Sequence, residues 1–154
     1  RCNIATFLNE VNMQANIIHF LEKKHIVSFS TFADLEMWSA ICFYVFDKQQ
    51  QRLILLTKPE TRHGQLMLKN PQVTGTIIHE AAAVAKLQGI QFIGEISELK
   101  TTEKQTALDL YYARFPYSRV MQSPVWQIVL NEVKFTDNTL GFGKKLLWER
   151  KPLD

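Results

Sequence analysis

The segment LLTKPETRHG (residues 55–64) is the one place in this chain where groups able to hold an anion crowd together. A β-rich run ends at Thr57, and Thr61, Arg62 and His63 open a run with helical spacing. Two hydroxyls, a guanidinium, an imidazole and the unpaired N–H groups of a helix start could converge there on a phosphate. The same residues also suit a plain helix start, because Thr is a common N-cap and charged side chains tolerate a solvated first turn. Other catalytic signatures fail on spacing. His79–Glu80 invites a zinc-protease reading, but Ala83 stands where the second histidine of H-E-x-x-H belongs. Gly143–Lys144–Lys145 lacks the upstream glycine and the Ser/Thr of a P-loop, and no G-x-S-x-G occurs. Cys2 and Cys42 form no metal or redox motif. Cys42 lies in an apolar strand pattern and is expected as a small buried hydrophobe, with a reactive thiol near a ligand as the alternative.

The elements that must position these groups follow from periodicity. Gln14–Lys24 clusters Ile17, Ile18, Phe20 and Leu21 at helical spacing and ends in two lysines, which suit a helix C-terminus. Three β-rich runs follow, HIVSFSTF, LEMWSAICFYVFD and RLILLT, with breaks at Ala33–Asp34 and Lys48–Gln51, as antiparallel hairpins would have. In the middle run Trp38, Ala40, Cys42, Tyr44 and Phe46 alternate with Met37, Ser39, Ile41, Phe43 and Val45. Both faces are apolar, so both need cover. A second helix starts at Thr61 and stops at Asn70–Pro71. The strand VTGTIIH follows, then Glu80–Leu87 as a turn running into the strand GIQFIGEISEL, whose internal Gly94 suggests a bulge or close backbone approach. Thr102 and Gln105 match a capping box for a third helix ending at Pro116. Val125–Phe135, the turn-rich TDNTLGFG and KLLWER complete about seven strands. The pattern predicts one domain, an antiparallel barrel or sandwich of the mostly-β or α+β kind with three short helices.

Composition narrows the partners. Among 154 residues, 18 Lys+Arg against 15 Asp+Glu leave a net charge of +3, and the basic residues are scattered in pairs rather than gathered in a patch. No nucleic-acid partner is expected. The longest mostly apolar run, Met37–Phe46, is about half of the roughly 20 residues a membrane helix needs, so no membrane partner is expected either. Residues 1–12 lack the pattern of a secretory signal, and the expected location is the cytoplasm.

The order of motifs resembles that of the FMN-binding split barrels related to pyridoxamine 5′-phosphate oxidase. It runs LLT-x(3)-TRH-x(4)-L-x-NP-x-V-x(3)-I, then G-x-QF-x-GEI. More closely, HIVSF, FYVFD, LTKPETRH, GIQFIGEI, ARFPYSRV, SPVWQI and KFTDNTLGFGKKLLW are similar to the uncharacterised bacterial YhbP family, from about Met13 to Arg150. The loop motif KFTDNTLGFGKK is the most specific of these. YhbP-like chains start near Met13, so residues 1–12 are expected as an N-terminal extension of upstream or foreign sequence before a single domain at 13–154.

The resemblance implies an antiparallel split β-barrel, a homodimer, and FMN in grooves between subunits. In the oxidases the flavin phosphate is held by a Thr after the third strand and a Ser-Arg-Lys sequence entering the helix; the matching positions here are Thr57 and Thr61, Arg62 and His63. An Arg and a Lys from the second strand are replaced here by Ser39 and Tyr44, and a C-terminal Trp and Arg by Thr136 and Lys145. A ring-contacting glutamine falls on Gly89, with Gln91 expected on the opposite face. The cofactor-binding candidates are therefore Thr57, Thr61, Arg62, His63, Ser39 and Lys145, with no metal site and no assigned catalytic residue. Two functions fit. One is a flavoprotein, an oxidoreductase with FMN and an unknown small substrate. The other is a non-catalytic binding module that uses the dimer cleft for haem, a nucleotide or no ligand. Trp38, Tyr44, Trp126, Phe142 and Trp148 could line such a cleft, though aromatics at strand positions serve more often as core or dimer contacts.

Overall fold

The alternating runs become strands in the structure, a computed structural model that describes residues 12–152. Apart from Asn12, the expected extension at 1–12 lies outside the described residues. The strands are β1 (Ile26–Ala33), β2 (Glu36–Asp47), β3 (Arg52–Leu56), β4 (Gln72–His79), β5 (Gln88–Glu98), β6 (Val125–Asp137) and β7 (Lys145–Glu149). All pairings are antiparallel, in the order β3-β2-β1-β4-β5-β6-β7. β6 also pairs with β3, so the first six strands close into a ring. Its length allows this: Val125–Val129 face β3 while Glu132–Thr136 hold β7 on the same edge. Closure removes most free sheet edges. With helices α1 (Ala15–Lys23), α2 (Arg62–Lys69) and α3 (Thr101–Arg114), the fold is the antiparallel split β-barrel.

Inward residues fill the ring, among them Phe29, Tyr44, Leu53, Ile77, Ile96 and Ile128, all buried. α1 adds Ile17, Phe20 and Leu21 to this core. Tyr44 is fully buried and its hydroxyl donates to the Leu21 carbonyl at 2.8 Å, tying β2 to α1. Arg114 at the end of α3 donates to the carbonyls of Glu22, Lys23 and Lys24, which the end of α1 leaves without helical partners. α3 covers a smaller core of Ile54, Leu56, Leu99, Tyr111 and Val125.

Two local expectations turn out differently from each other. Gly94 is both a bulge and a close approach: the β5–β6 register shifts between Ile93 and Gly94, and a Cβ there would stand 2.6 Å from Ile128 Cγ2. The capping box at Thr102 and Gln105 does not form. The chain enters α3 through Thr101 with φ +58°, which places Thr102 inside the first turn, where its carbonyl accepts from Thr106 Oγ1. Gln105 instead donates to Asp109 Oδ1 at 2.9 Å. The motif KFTDNTLGFGKK forms the β6–β7 connection, and its polar residues explain its composition. Asp137 accepts from the Thr139 N–H and from Gln88, Asn138 accepts from the Gly143 N–H, and Gly141 and Gly143 take positive φ.

Candidate functional site

The site grows from the end of β3. Thr57 is buried and its backbone is pinned, because its carbonyl accepts the Trp126 indole N–H at 3.0 Å and its N–H reaches the Pro124 carbonyl. Four residues on, Thr61 caps α2, accepting the Gly64 N–H at 3.1 Å. A Cβ on Gly64 would stand 2.6 Å from the Lys58 and Pro59 carbonyl oxygens, so glycine alone lets this loop close onto the helix. α2 packs against β1 and β2, and apart from the Gly64 N–H held by Thr61 its first amide groups have no partner within the helix.

His63 joins the two threonines. Its Nε2 lies 2.7 Å from Thr57 Oγ1 and 3.2 Å from Thr61 Oγ1. Thr61 has one hydroxyl proton and gives it to the Lys58 carbonyl at 2.8 Å, so toward the imidazole it can only accept. Both contacts are satisfied when Nε2 carries the proton, which leaves the Thr57 O–H to turn between the Cys42 sulfur and a ligand. The ring meets Phe29 edge-on, and burial pulls its pKa below the usual histidine value. His63 is therefore neutral near pH 7 and brings a dipole rather than a charge. Cys42 is half-buried beside Thr57. Burial raises its thiol to about 11 against the opposing Thr57 hydrogen bond, so it is a protonated, unreactive thiol at neutral pH.

Arg62 is the cation of this cluster, and β2 holds it from two sides. Its Nε donates to Glu36 Oε1 at 2.6 Å, and its guanidinium carbon lies 4.0 Å from the Trp38 ring centroid. Both side chains of the ion pair remain about half exposed, at 51% for Arg62 and 46% for Glu36. The sequence reading missed Glu36 and the anchoring role of Trp126. The signal for Glu36 was present, since it stands two residues before Trp38 on the face that continues through Ala40 and Cys42 toward Thr57.

The remaining candidates lie on the outer face of the sheet. Ser39 is not with the cluster: it points away from it and its Oγ is 2.8 Å from Ser30 Oγ. Lys145 pairs with Thr136, which pairs in turn with Gly89, so the three positions matched to flavin-edge residues stand side by side across β7, β6 and β5. The expectation that Gln91 faces away from Gly89 is wrong. Residues two apart in a strand share a face, and Gln91 is exposed on the same side, opposite Lys134 and Thr76. Beside it runs a groove of about 390 Å³ floored by Ser28, Ser30, Thr74, Thr76, Gln91 and Lys134. Across β2 the same outer face shows Met37, Ile41 and Phe43, exposed by 71%, 75% and 53%. Among the described residues no group of His, Cys, Asp and Glu could hold a metal ion, and no helix is long and apolar enough to cross a membrane.

No family model matches the chain. A UPF0306 protein of Serratia proteamaculans is 46% identical over 143 residues, covering 93% of this chain and 99% of the relative. A UPF0306 protein of Yersinia enterocolitica is 47% identical over 134 residues, covering 87% and 91%. The solved structure of HutZ, the haem storage protein of Vibrio cholerae, has a TM-score of 0.63 at 14% identity, covering 79% of this chain and 92% of that one. An FAD-binding protein of Mesorhizobium loti has a TM-score of 0.64 at 12% identity, with the same two coverages. At such identities the structural likeness is one of fold, and function must be argued from the site.

Proposed function

Starting from a chain that belongs to the UPF0306 family, we propose that it is a flavoprotein that binds FMN and acts as an oxidoreductase on a small substrate. The observation that carries this reading is that one seven-residue segment, 57–63, holds the Thr57 hydroxyl, tied to His63, the Arg62 guanidinium and the Thr61-capped first turn of α2. This donor set fits a phosphate monoester. Arg62 has five N–H donors and gives Nε to Glu36, so its outer edge is available for bidentate contact. Thr57 donates its hydroxyl, Thr61 holds the turn by capping it, and neutral His63 keeps the Thr57 hydroxyl aimed. FMN, when bound, supplies hydride or electron transfer at its ring, and the protein supplies position and shielding.

The reading includes a homodimer. The outer face of β2 exposes Met37, Ile41 and Phe43 in a row, continued by Ile26 and Phe32 of β1, an apolar surface that a second copy would cover. In this reading Lys145, which stands beside Thr136 and Gly89 across the outer strands, reaches the flavin edge across the dimer. Lysine there keeps a positive charge without the bidentate fork of arginine.

The second reading, a binding module for haem, a nucleotide or no ligand, is favoured by one observation: the guanidinium of the cluster already has a carboxylate partner, and His63 is neutral. Titration of the purified chain with FMN, followed by flavin fluorescence, separates the two. The flavoprotein reading expects saturable binding. No binding at about 100 µM, where one phosphate pair plus ring contact should register, selects the binding module.

A further inference from the structure

We propose that Glu36 sets the affinity of the phosphate site, holding Arg62 as an internal counter-anion so that ligand capture exchanges one anion for another and the flavin remains a dissociable ligand. This rests on the reading of Thr57–His63 as a phosphate site. Three observations support it. The contact is direct, at 2.6 Å between Arg62 Nε and Glu36 Oε1. Glu36 and Trp38 stand two residues apart on the β2 ladder, opposite Ala33 and Thr31, so the carboxylate and the indole meet Arg62 from the same face of the strand.

The third observation is the charge balance. Around the loop, Glu36 offsets Arg62, the exposed Lys58 is matched in charge by the exposed Glu60 two residues on, the nearby Lys69 is paired with Asp34 at 2.8 Å, and His63 is neutral. A phosphate carrying close to two negative charges therefore meets a cluster with no surplus positive charge. It must compete with Glu36 for the guanidinium and accept its repulsion. Because Arg62 also covers Trp38, any shift of the guanidinium toward a phosphate opens the indole face to a flat ring. Exposed ion pairs of this kind are weak, so the carboxylate tunes binding rather than preventing it.

The test uses the full chain, with Glu36→Gln, Arg62→Ala and the double variant, titrated with FMN and with riboflavin. Glutamine keeps the shape and the acceptor of Glu36 and removes the charge alone. Glu36→Gln should tighten FMN by about two- to fivefold, chiefly through slower dissociation. Riboflavin affinity should not move, and the gain should vanish when Arg62 is also alanine. Wild type should lose FMN on gel filtration. Because both side chains are half exposed, the melting temperatures should coincide, so a folding defect cannot mimic the result. Unchanged or weaker FMN binding in Glu36→Gln, the same gain in the Arg62→Ala background, or FMN retained stoichiometrically by wild type through gel filtration overturns the role of Glu36 and leaves the phosphate site standing. FMN affinity indifferent to Arg62→Ala, or no FMN binding by wild type, overturns both.

Discussion

Arg62→Ala isolates the one guanidinium in the segment 57–63. A charge-assisted pair to phosphate contributes about 1.5–3 kcal/mol. Against this, Arg62 gives up part of its contact with Glu36, which as a half-exposed pair contributes about 0.2–1 kcal/mol. The net loss is about 0.5–2.8 kcal/mol, a rise of about 2- to 100-fold in the FMN dissociation constant. Arg62→Lys should fall between, because lysine retains charge without the planar fork. The assay is fluorescence titration with FMN and with riboflavin at low and at raised salt. FMN should weaken in the variant, riboflavin should not, and the gap between wild type and variant should narrow with salt because the cluster is solvent-exposed. Equal FMN affinity in wild type and Arg62→Ala would show that the segment 57–63 is a helix cap and nothing more, and that any flavin lies elsewhere.

Four further outcomes check the structural steps beneath this. Tyr44→Phe removes a buried hydrogen bond to the Leu21 carbonyl and should cost about 1–2 kcal/mol, read as a lowered urea midpoint with an unchanged slope; no loss would mean that α1 is not tied down through this hydroxyl. Gly64→Ala forces a Cβ against two backbone carbonyls at 2.6 Å and should destabilise by about 1–3 kcal/mol while also weakening FMN, whereas a neutral result would contradict the closed loop. Ile41→Lys places a charge in the exposed row of β2 and should give folded monomers by sedimentation velocity where wild type gives dimers; a monomeric wild type would end the homodimer reading. His63, with a folded pKa below its ordinary 6.5, binds fewer protons folded than unfolded, so stability should rise with pH through the window from that lowered value up to 6.5 and be flat above it. Melting curves between about pH 5 and about pH 7.5 should show the slope in wild type and lose it in His63→Gln.

The fold was legible because its signals are local. The β2 run announces its length and its two apolar faces by alternation, and Asn70–Pro71 announces the end of α2. Thr57, Thr61, Arg62 and His63 were legible as a group for the same reason, being within seven residues of one another. What was hidden depends on partners distant in sequence. Nothing near Thr57 says that Trp126, 69 residues away, anchors its carbonyl, or that Glu36, 26 residues before Arg62, takes its Nε. The failed capping box at Thr102 shows a second limit. A motif fixes the residue types at a helix start, but one residue in the left-handed region, Thr101, moves the start and strands the motif inside the helix. Ser39 shows a third, since matching by order placed it beside the phosphate cluster while strand parity turns it outward onto Ser30.

A structure of the chain determined with FMN tests the central claim most directly. The account predicts the phosphate within hydrogen-bond distance of the Thr57 hydroxyl and the outer edge of the Arg62 guanidinium, at the first turn of α2, with Arg62 displaced from Glu36. A phosphate bound away from residues 57–63, for example in the hydroxyl-lined groove over Ser28 and Thr76, would contradict it.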